Sequence, residues 1–178
     1  MAELAAHIPT NASVVAGLDI DRLRSTPLYA KLPESFREAS YVLAGYEPPA
    51  LVTAFRVGAR VVSTGPRVGA PPQILGYAAD TPVWVVARGD AALPLAGNLA
   101  NLTRLLRQTG YTRVTARVGE RIEFAAEGVC ASQQAAEHLE QNVRAIATLA
   151  NLPLEVRREG LTVHVTGSTT ADAVARLF

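Results

Sequence analysis

Asp19 and Asp21 are the first side chains in this sequence whose types and spacing could do chemistry. They are separated by one residue, they follow a short apolar segment, and Arg22 and Arg24 come directly after them. Two carboxylates at this spacing can bind a divalent cation through their oxygens. They can equally cap a helix and counter the dipole at its N-terminal end. The turn Asp19–Arg24 is therefore a candidate ligand site, with helix capping as the alternative.

A glycine-rich stretch supplies the second candidate site. Glycine and proline become dense from Gly58 to Gly69, and Arg56, Arg60 and Arg67 flank or interrupt this segment. Backbone N–H groups in such a loop can cradle an anion. The stretch lacks the lysine of a phosphate-binding loop, Gly-x-x-x-x-Gly-Lys-Ser/Thr, so an ordinary surface loop is the alternative. The candidate ligand-binding residues of the two segments are Asp19, Asp21, Arg22, Arg60 and Arg67.

Other catalytic and metal-binding patterns do not occur in the sequence. His7, His138 and His164 are far apart and form no His-Glu-x-x-His spacing, so the sequence indicates no histidine metal site. No serine stands in a Gly-x-Ser-x-Gly elbow, the turn that exposes the nucleophile of many hydrolases. Cys130, the single cysteine, comes where a strand would end and is interpreted as a buried, unreactive thiol. The sequence therefore assigns no catalytic residue and no cofactor.

The composition is that of one folded domain spanning residues 1–178. Apolar residues make up 49% of the chain and charged residues 19%. A formal net charge of +1 argues against a dedicated surface for nucleic acid or acidic lipid, which needs concentrated positive charge. No apolar run approaches the ~20 residues of a membrane span, and no secretory leader is visible. The compartment stays open between the cytoplasm and, if a leader has been removed, an extracytoplasmic space.

The elements that must position the candidate residues follow a pattern that runs twice: an apolar strand, a helix, a hairpin and another helix. The first copy starts at Ser13–Asp19 and the second at Val83–Asp90. The two units cover about 13–80 and 82–150, and a closing hairpin with a short helix covers 154–178. This succession predicts an α+β fold with a mainly antiparallel sheet. The ferredoxin-like split arrangement is the nearest common type, so the units are interpreted as βαββα pseudo-repeats.

Local signals mark where the helices begin. Ser132 is expected to cap the longest helix, from Gln133 to about Ala150, and Asn98 the helix before it. A last short helix is expected to begin after Ser168 or Thr169. In the first unit, Pro71-Pro72 predicts a short helix, while Val61-Val62 could extend the sheet.

The two units differ in how their strands alternate. Strands of the first unit are apolar on both sides, whereas Arg113, Arg117 and Glu123 point outward in the second. His164 alternates with two valines and is predicted to share the wet face of the last hairpin with other polar residues. Those residues are Glu155, Arg157, Thr162 and Thr166. The apolar first unit therefore needs a cover: helices, the other sheet or a second protomer.

The segment Ile8–Tyr29, beginning Ile-Pro-Thr-Asn-Ala-Ser, resembles the opening of uncharacterised bacterial proteins of the kind found in soil-dwelling acidobacteria. The layout of Glu123–Ala126, Ser132–Ala150 and Val156–Val165 is also similar to theirs. The resemblance is one of pattern over most of the chain and carries no catalytic residues. It implies a protein of unknown function, commonly secreted or associated with the cell envelope.

Two functional hypotheses follow from the sequence. The first is a non-enzymatic protein-interaction or scaffold module that associates with itself through the apolar first unit. The alternative is a binder of a small ligand or anion, or an enzyme, that uses the Asp19–Arg24 turn and the Gly58–Gly69 loop. The second hypothesis would gain support if these two segments lined one pocket.

Overall fold

The computed structural model describes residues 1–68, 72–92, 100–149 and 153–172. The helices are α1 (Ala2–Ala5), α2 (Ile20–Leu23), α3 (Glu34–Arg37), α4 (Ala100–Leu106) and α5 (Gln133–Leu149), with 3-10 turns at Tyr29–Lys31 and Gln73–Tyr77. The strands are β1 (Val14–Asp19), β2 (Tyr41–Glu47), β3 (Ala50–Val57), β4 (Arg60–Ser63), β5 (Val83–Arg88), β6 (Thr109–Val118), β7 (Ile122–Cys130), β8 (Leu154–Glu159) and β9 (Thr162–Thr169).

All nine described strands belong to one sheet, in the order β4-β3-β2-β1-β5-β6-β7-β9-β8. Every neighbouring pair is antiparallel. The two halves of the chain meet where β1 pairs with β5, from Val14 opposite Ala87 to Leu18 opposite Val83. The predicted α+β class with a mainly antiparallel sheet is therefore confirmed.

The predicted ferredoxin-like pseudo-repeats are not confirmed, and this strand order is not typical of a ferredoxin-like fold. In a split βαβ unit, the strands before and after the helix are parallel and another strand lies between them. Here β1 pairs directly and antiparallel with β2, although helices separate them in sequence, and β5 does the same with β6. The helical segments between β1 and β2 are single turns, so the chain returns beside the strand it left.

Several local expectations are confirmed. The Ser132 hydroxyl accepts a hydrogen bond from the N–H of Ala135 at 3.2 Å and so caps α5. Val61 and Val62 lie in β4, and the turn Gln73–Tyr77 follows Pro72. Asn98, and the end of the expected last helix after Asp172, lie outside the described residues.

Each half of the sheet has its own core. We call the face that carries Val15, Trp84 and Val86 the front face. In the first half it is covered by the N-terminal segment and the turn Gln73–Tyr77, which bury Leu4 and Ile8 against these residues. On the opposite, back face, α2 and α3 pack near Val42, and α5 packs over β7, β8 and β9. Over β7, β9 and β8, no helix or turn in the described part of the chain belongs to a buried cluster on the front face.

The central strand pair is held by a tight contact between Gly17 and the indole of Trp84. These residues lie directly opposite each other in β1 and β5, and Trp84 is 1% exposed. The indole Nε1 donates a hydrogen bond to the hydroxyl of Tyr41 at 2.9 Å, which fixes the ring above the glycine. A Cβ at position 17 would overlap the indole ring, so the ring can occupy this place only above a glycine.

Gly17→Ala is expected to lower the free energy of unfolding by about 1–3 kcal/mol, because the added methyl overpacks a buried, hydrogen-bonded ring. Gly76→Ala is the matched control, since a Cβ there has no heavy atom within 4 Å. Urea unfolding followed by tryptophan fluorescence measures both variants. Equal midpoints for the two variants would show that the indole can move aside without cost.

Candidate functional surfaces

The Asp19–Arg24 turn is a helix cap held together by ion pairs. The Asp19 side chain accepts a hydrogen bond from the N–H of Arg22 at 3.1 Å and caps α2. The Arg22 guanidinium in turn lies 3.0 Å from Asp80, and that of Arg24 lies 3.0 Å from Asp21. The structure therefore brings Asp19, Asp21 and Arg22 together, in the capping arrangement that the sequence left as one of two alternatives.

Arg60 and Arg67, the other two candidate residues, lie away from this turn. Both are exposed; Arg60 begins β4 and Arg67 follows it. The strand register places β4 three strands from β1, about 14 Å at ~4.8 Å per strand. In the described residues, no hydrogen bond or ion pair joins either arginine to the turn. Gly69, the end of the predicted loop, lies outside the described residues.

No described group of three or more His, Cys, Asp or Glu side chains is arranged to hold a metal ion. Cys130 is buried at the end of β7, and burial raises the pKa of its thiol. A thiol with a raised pKa stays protonated at neutral pH and is a poor nucleophile. Its surroundings are thus those of a core residue, as the sequence indicated.

The front face of the second half is a polar surface, which confirms the predicted wet face. Register places Arg113 opposite Glu127, Thr115 opposite Ala125 and Arg117 opposite Glu123 on β6 and β7. The same face continues onto β9 and β8 with Thr162, His164, Thr166, Ser168, Glu155, Arg157 and Glu159. At its inner edge the rings of Tyr77 and Tyr111 stack with centroids 4.1 Å apart. The front face of the second half is therefore a continuous surface of charged groups and hydroxyls across β6, β7, β9 and β8.

Two adjoining concavities lie on this polar surface. The larger, about 610 Å³, is bordered by polar residues of all four strands, and the smaller, about 280 Å³, lies around His164. They share Glu155 and Thr166, so they form one shallow groove. Sequence reasoning identified Arg117 and Glu123 as outward-pointing but did not select them as site residues. The available signal was the alternation of polar residues in both strands of the hairpin.

The two edges of the sheet differ. At the β8 edge, Arg144 of α5 donates a hydrogen bond to the backbone carbonyl of Val156 at 2.6 Å, and Arg158 pairs with Glu140 at 3.1 Å. At the β4 edge, Val62 is 56% exposed, and Leu51 and Val57 of the adjacent strand are also exposed. Their register places all three on the back face, with Val57 and Val62 as diagonal neighbours and Leu51 further along β3. We call these three residues the β4 patch.

Comparison of the chain with protein-family models, with curated proteins and with solved structures finds no match. Among the described helices, none has the length and apolar character needed to cross a bilayer.

Glu140 joins α5 to the β8 edge, and this predicts a pH dependence. Its carboxylate accepts hydrogen bonds from Arg144 and Arg158, which hold its pKa below the ordinary value. A lowered pKa in the folded state means that the carboxylate stabilises the protein above the unfolded pKa, about 4.3. That contribution is lost as pH falls through the lower, folded-state pKa.

Glu140→Gln is therefore expected to be less stable than the wild type at pH 7, and the difference should shrink as pH falls below about 4.3. Glu120→Gln, at an exposed turn, serves as the control and should follow the wild type at every pH. Urea unfolding across this pH range measures all three proteins. A difference between wild type and Glu140→Gln that did not change with pH would contradict the assigned role of the carboxylate.

Proposed function

We propose that this chain is a non-enzymatic interaction module that associates with a second copy of itself through the β4 edge. The observation that supports it is the difference between the two ends of the sheet. In the described residues no strand pairs with the outer side of β4, and the exposed apolar side chains of the β4 patch stand beside it. Such an edge is a template for another strand.

The opposite edge is protected in the ways that natural proteins use against strand addition. Four of the six residues of strand β8 are charged. Arg144 of α5 also donates a hydrogen bond to the β8 carbonyl of Val156. Charged side chains and a covering element both hinder edge-to-edge pairing. Of the two ends of the described sheet, one is therefore suited to pair with another chain, which favours a closed dimer over an open fibre.

A second copy fits the β4 edge because the strand can pair with itself. An antiparallel pairing centred on Val62 places this residue beside Val62 of the second copy, on the back face of a continuous sheet. The same register sets Arg60 opposite Thr64, so no like charges face each other. A net charge of +1 also gives two copies little reason to repel.

Strand β4 is only four residues long, so backbone hydrogen bonds alone are a small part of such an interface. The β4 patch supplies the rest. Val62 is 56% exposed, and covering it and its diagonal neighbour Val57 removes apolar surface from water at about 25 cal/mol per Å². The partner is thus held by apolar contacts on the back face, and the paired strands set its orientation.

Val62→Lys is expected to shift the protein from dimer to monomer. The dissociation constant of the dimer should rise by about tenfold or more, because two lysines would lie side by side at the centre of the interface. Sedimentation velocity over a range of protein concentrations measures the change.

Leu161→Lys is the matched control, since Leu161 is a 45% exposed leucine at the β8–β9 turn, at the other end of the sheet. It should dimerise like the wild type. A wild type that stays monomeric at all concentrations, or a Val62→Lys variant that dimerises unchanged, would overturn the proposal.

A further inference from the structure

The same cross-strand pair of charges occurs twice on the polar surface, once closed and once open. Arg113 and Glu127 face each other on β6 and β7, and their guanidinium and carboxylate are 2.8 Å apart. Arg117 and Glu123 face each other four residues along the same two strands. No ion pair or hydrogen bond in the described residues engages the side chain of either one, so this second pair is open.

The open pair borders the larger concavity, whereas the closed pair borders neither. Ala125 is an exposed residue with a one-carbon side chain and forms the floor of the concavity. It lies in the row of the sheet between the open pair and the closed pair. Thr115 and Thr166 flank Ala125 on the neighbouring strands. The depression therefore exists because a small residue lies inside a ring of larger polar ones.

Two hydroxyl groups around the depression already make one hydrogen bond each, which determines whether they can donate or accept another. The Ser168 oxygen accepts a hydrogen bond from Arg121 at 2.9 Å, so its own hydrogen is free to donate to an anion. The Thr115 hydroxyl donates to the carbonyl of Ala125 at 3.4 Å, so its lone pairs are free to accept from a cation. Glu123 is therefore flanked by Arg117 on β6 and by the Ser168 hydroxyl, a donor, on β9. The Thr115 oxygen, an acceptor, lies in the next row of the sheet.

From this arrangement we infer that the larger concavity binds a small zwitterion, the ammonium and carboxylate of an α-amino acid or of a short peptide. The carboxylate binds the Arg117 guanidinium. The ammonium group binds the carboxylate of Glu123 and the Thr115 oxygen. A guanidinium and a carboxylate on directly opposed residues, about 5 Å apart at Cα, match a ligand whose own two charges are close together.

The volume agrees with this class of ligand. A concavity of about 610 Å³ lies within the ~300–1,000 Å³ range of small-molecule sites. The site is shallow and much of its lining is exposed, so water screens both charged contacts. We therefore expect a dissociation constant of about 1 mM, which corresponds to roughly −4 kcal/mol.

The test titrates the ¹⁵N-labelled full chain with four compounds that share one side chain and differ in charge. L-alanine and L-alanyl-L-alanine are zwitterions, N-acetyl-L-alanine keeps only the carboxylate, and L-alaninamide keeps only the ammonium. The amide signals of residues around Ala125 report binding. We expect saturable shifts for one or both zwitterions, and affinities about tenfold weaker or more for the two blocked compounds. A preference between the zwitterions distinguishes a free amino acid from a peptide as the source of the ligand.

Variants test whether the open pair and the floor carry this binding. Arg117→Gln and Glu123→Gln should each weaken it about tenfold or more, and Ala125→Leu should abolish it by filling the depression. Arg113→Gln breaks the closed pair instead and is the matched control, with unchanged affinity expected. The dispersion of the amide spectrum establishes that each variant is folded.

Three results would overturn the inference. They are the absence of saturable shifts up to about 10 mM of either zwitterion, equal affinity for a blocked compound, and unchanged affinity in both the Arg117→Gln and Glu123→Gln variants. None of them bears on dimerisation through β4, which lies at the far end of the sheet.

Discussion

The antiparallel pairing of β1 with β5 is the constraint on which the rest of this structure depends. Side chains alternate between faces with a period of two, so the register of this pair sets which faces of the two halves of the sheet coincide. A slip by one residue would place Val15 and Val86 on opposite faces of the sheet. The contact between Gly17 and Trp84 prevents this slip, because the indole fits only above a residue without a Cβ.

The same register explains why one face of the sheet is apolar in one half and polar in the other. The front face passes from Val15 and Trp84 to Thr115 and Ala125 across four neighbouring strands. The N-terminal segment and the turn Gln73–Tyr77 cover the apolar part. The polar part needs no cover, since an antiparallel sheet tolerates one solvated face. The groove therefore lies on the uncovered, polar part of the same face.

Local patterns predicted the strands, the cap of α5 and the wet face of the second half, because each depends on residues close in sequence. The strand order could not be predicted in this way. A strand, a helical segment and a hairpin are compatible both with a split βαβ unit and with the adjacent antiparallel pairing seen here. The choice depends on contacts such as Gly17 with Trp84, 67 residues apart, for which neither local sequence gives a signal. The Asp19–Arg24 turn was correctly located, but its partner Asp80 belongs to the other end of the first unit and was not foreseen.

The candidate groove shows a similar division between what alternation predicts and what packing decides. Alternation alone places Arg113, Arg117, Glu123 and Glu127 on one face, yet the first and last of these form an ion pair and the middle two do not. Since both pairs are directly opposed on the same strands, backbone geometry does not separate them. Their surroundings do: Arg113 and Glu127 are half-buried, whereas Arg117 and Glu123 are exposed beside the small side chain of Ala125. A pair that water already stabilises can bind an incoming charge without first breaking a contact, so its open geometry is what makes it available to a ligand.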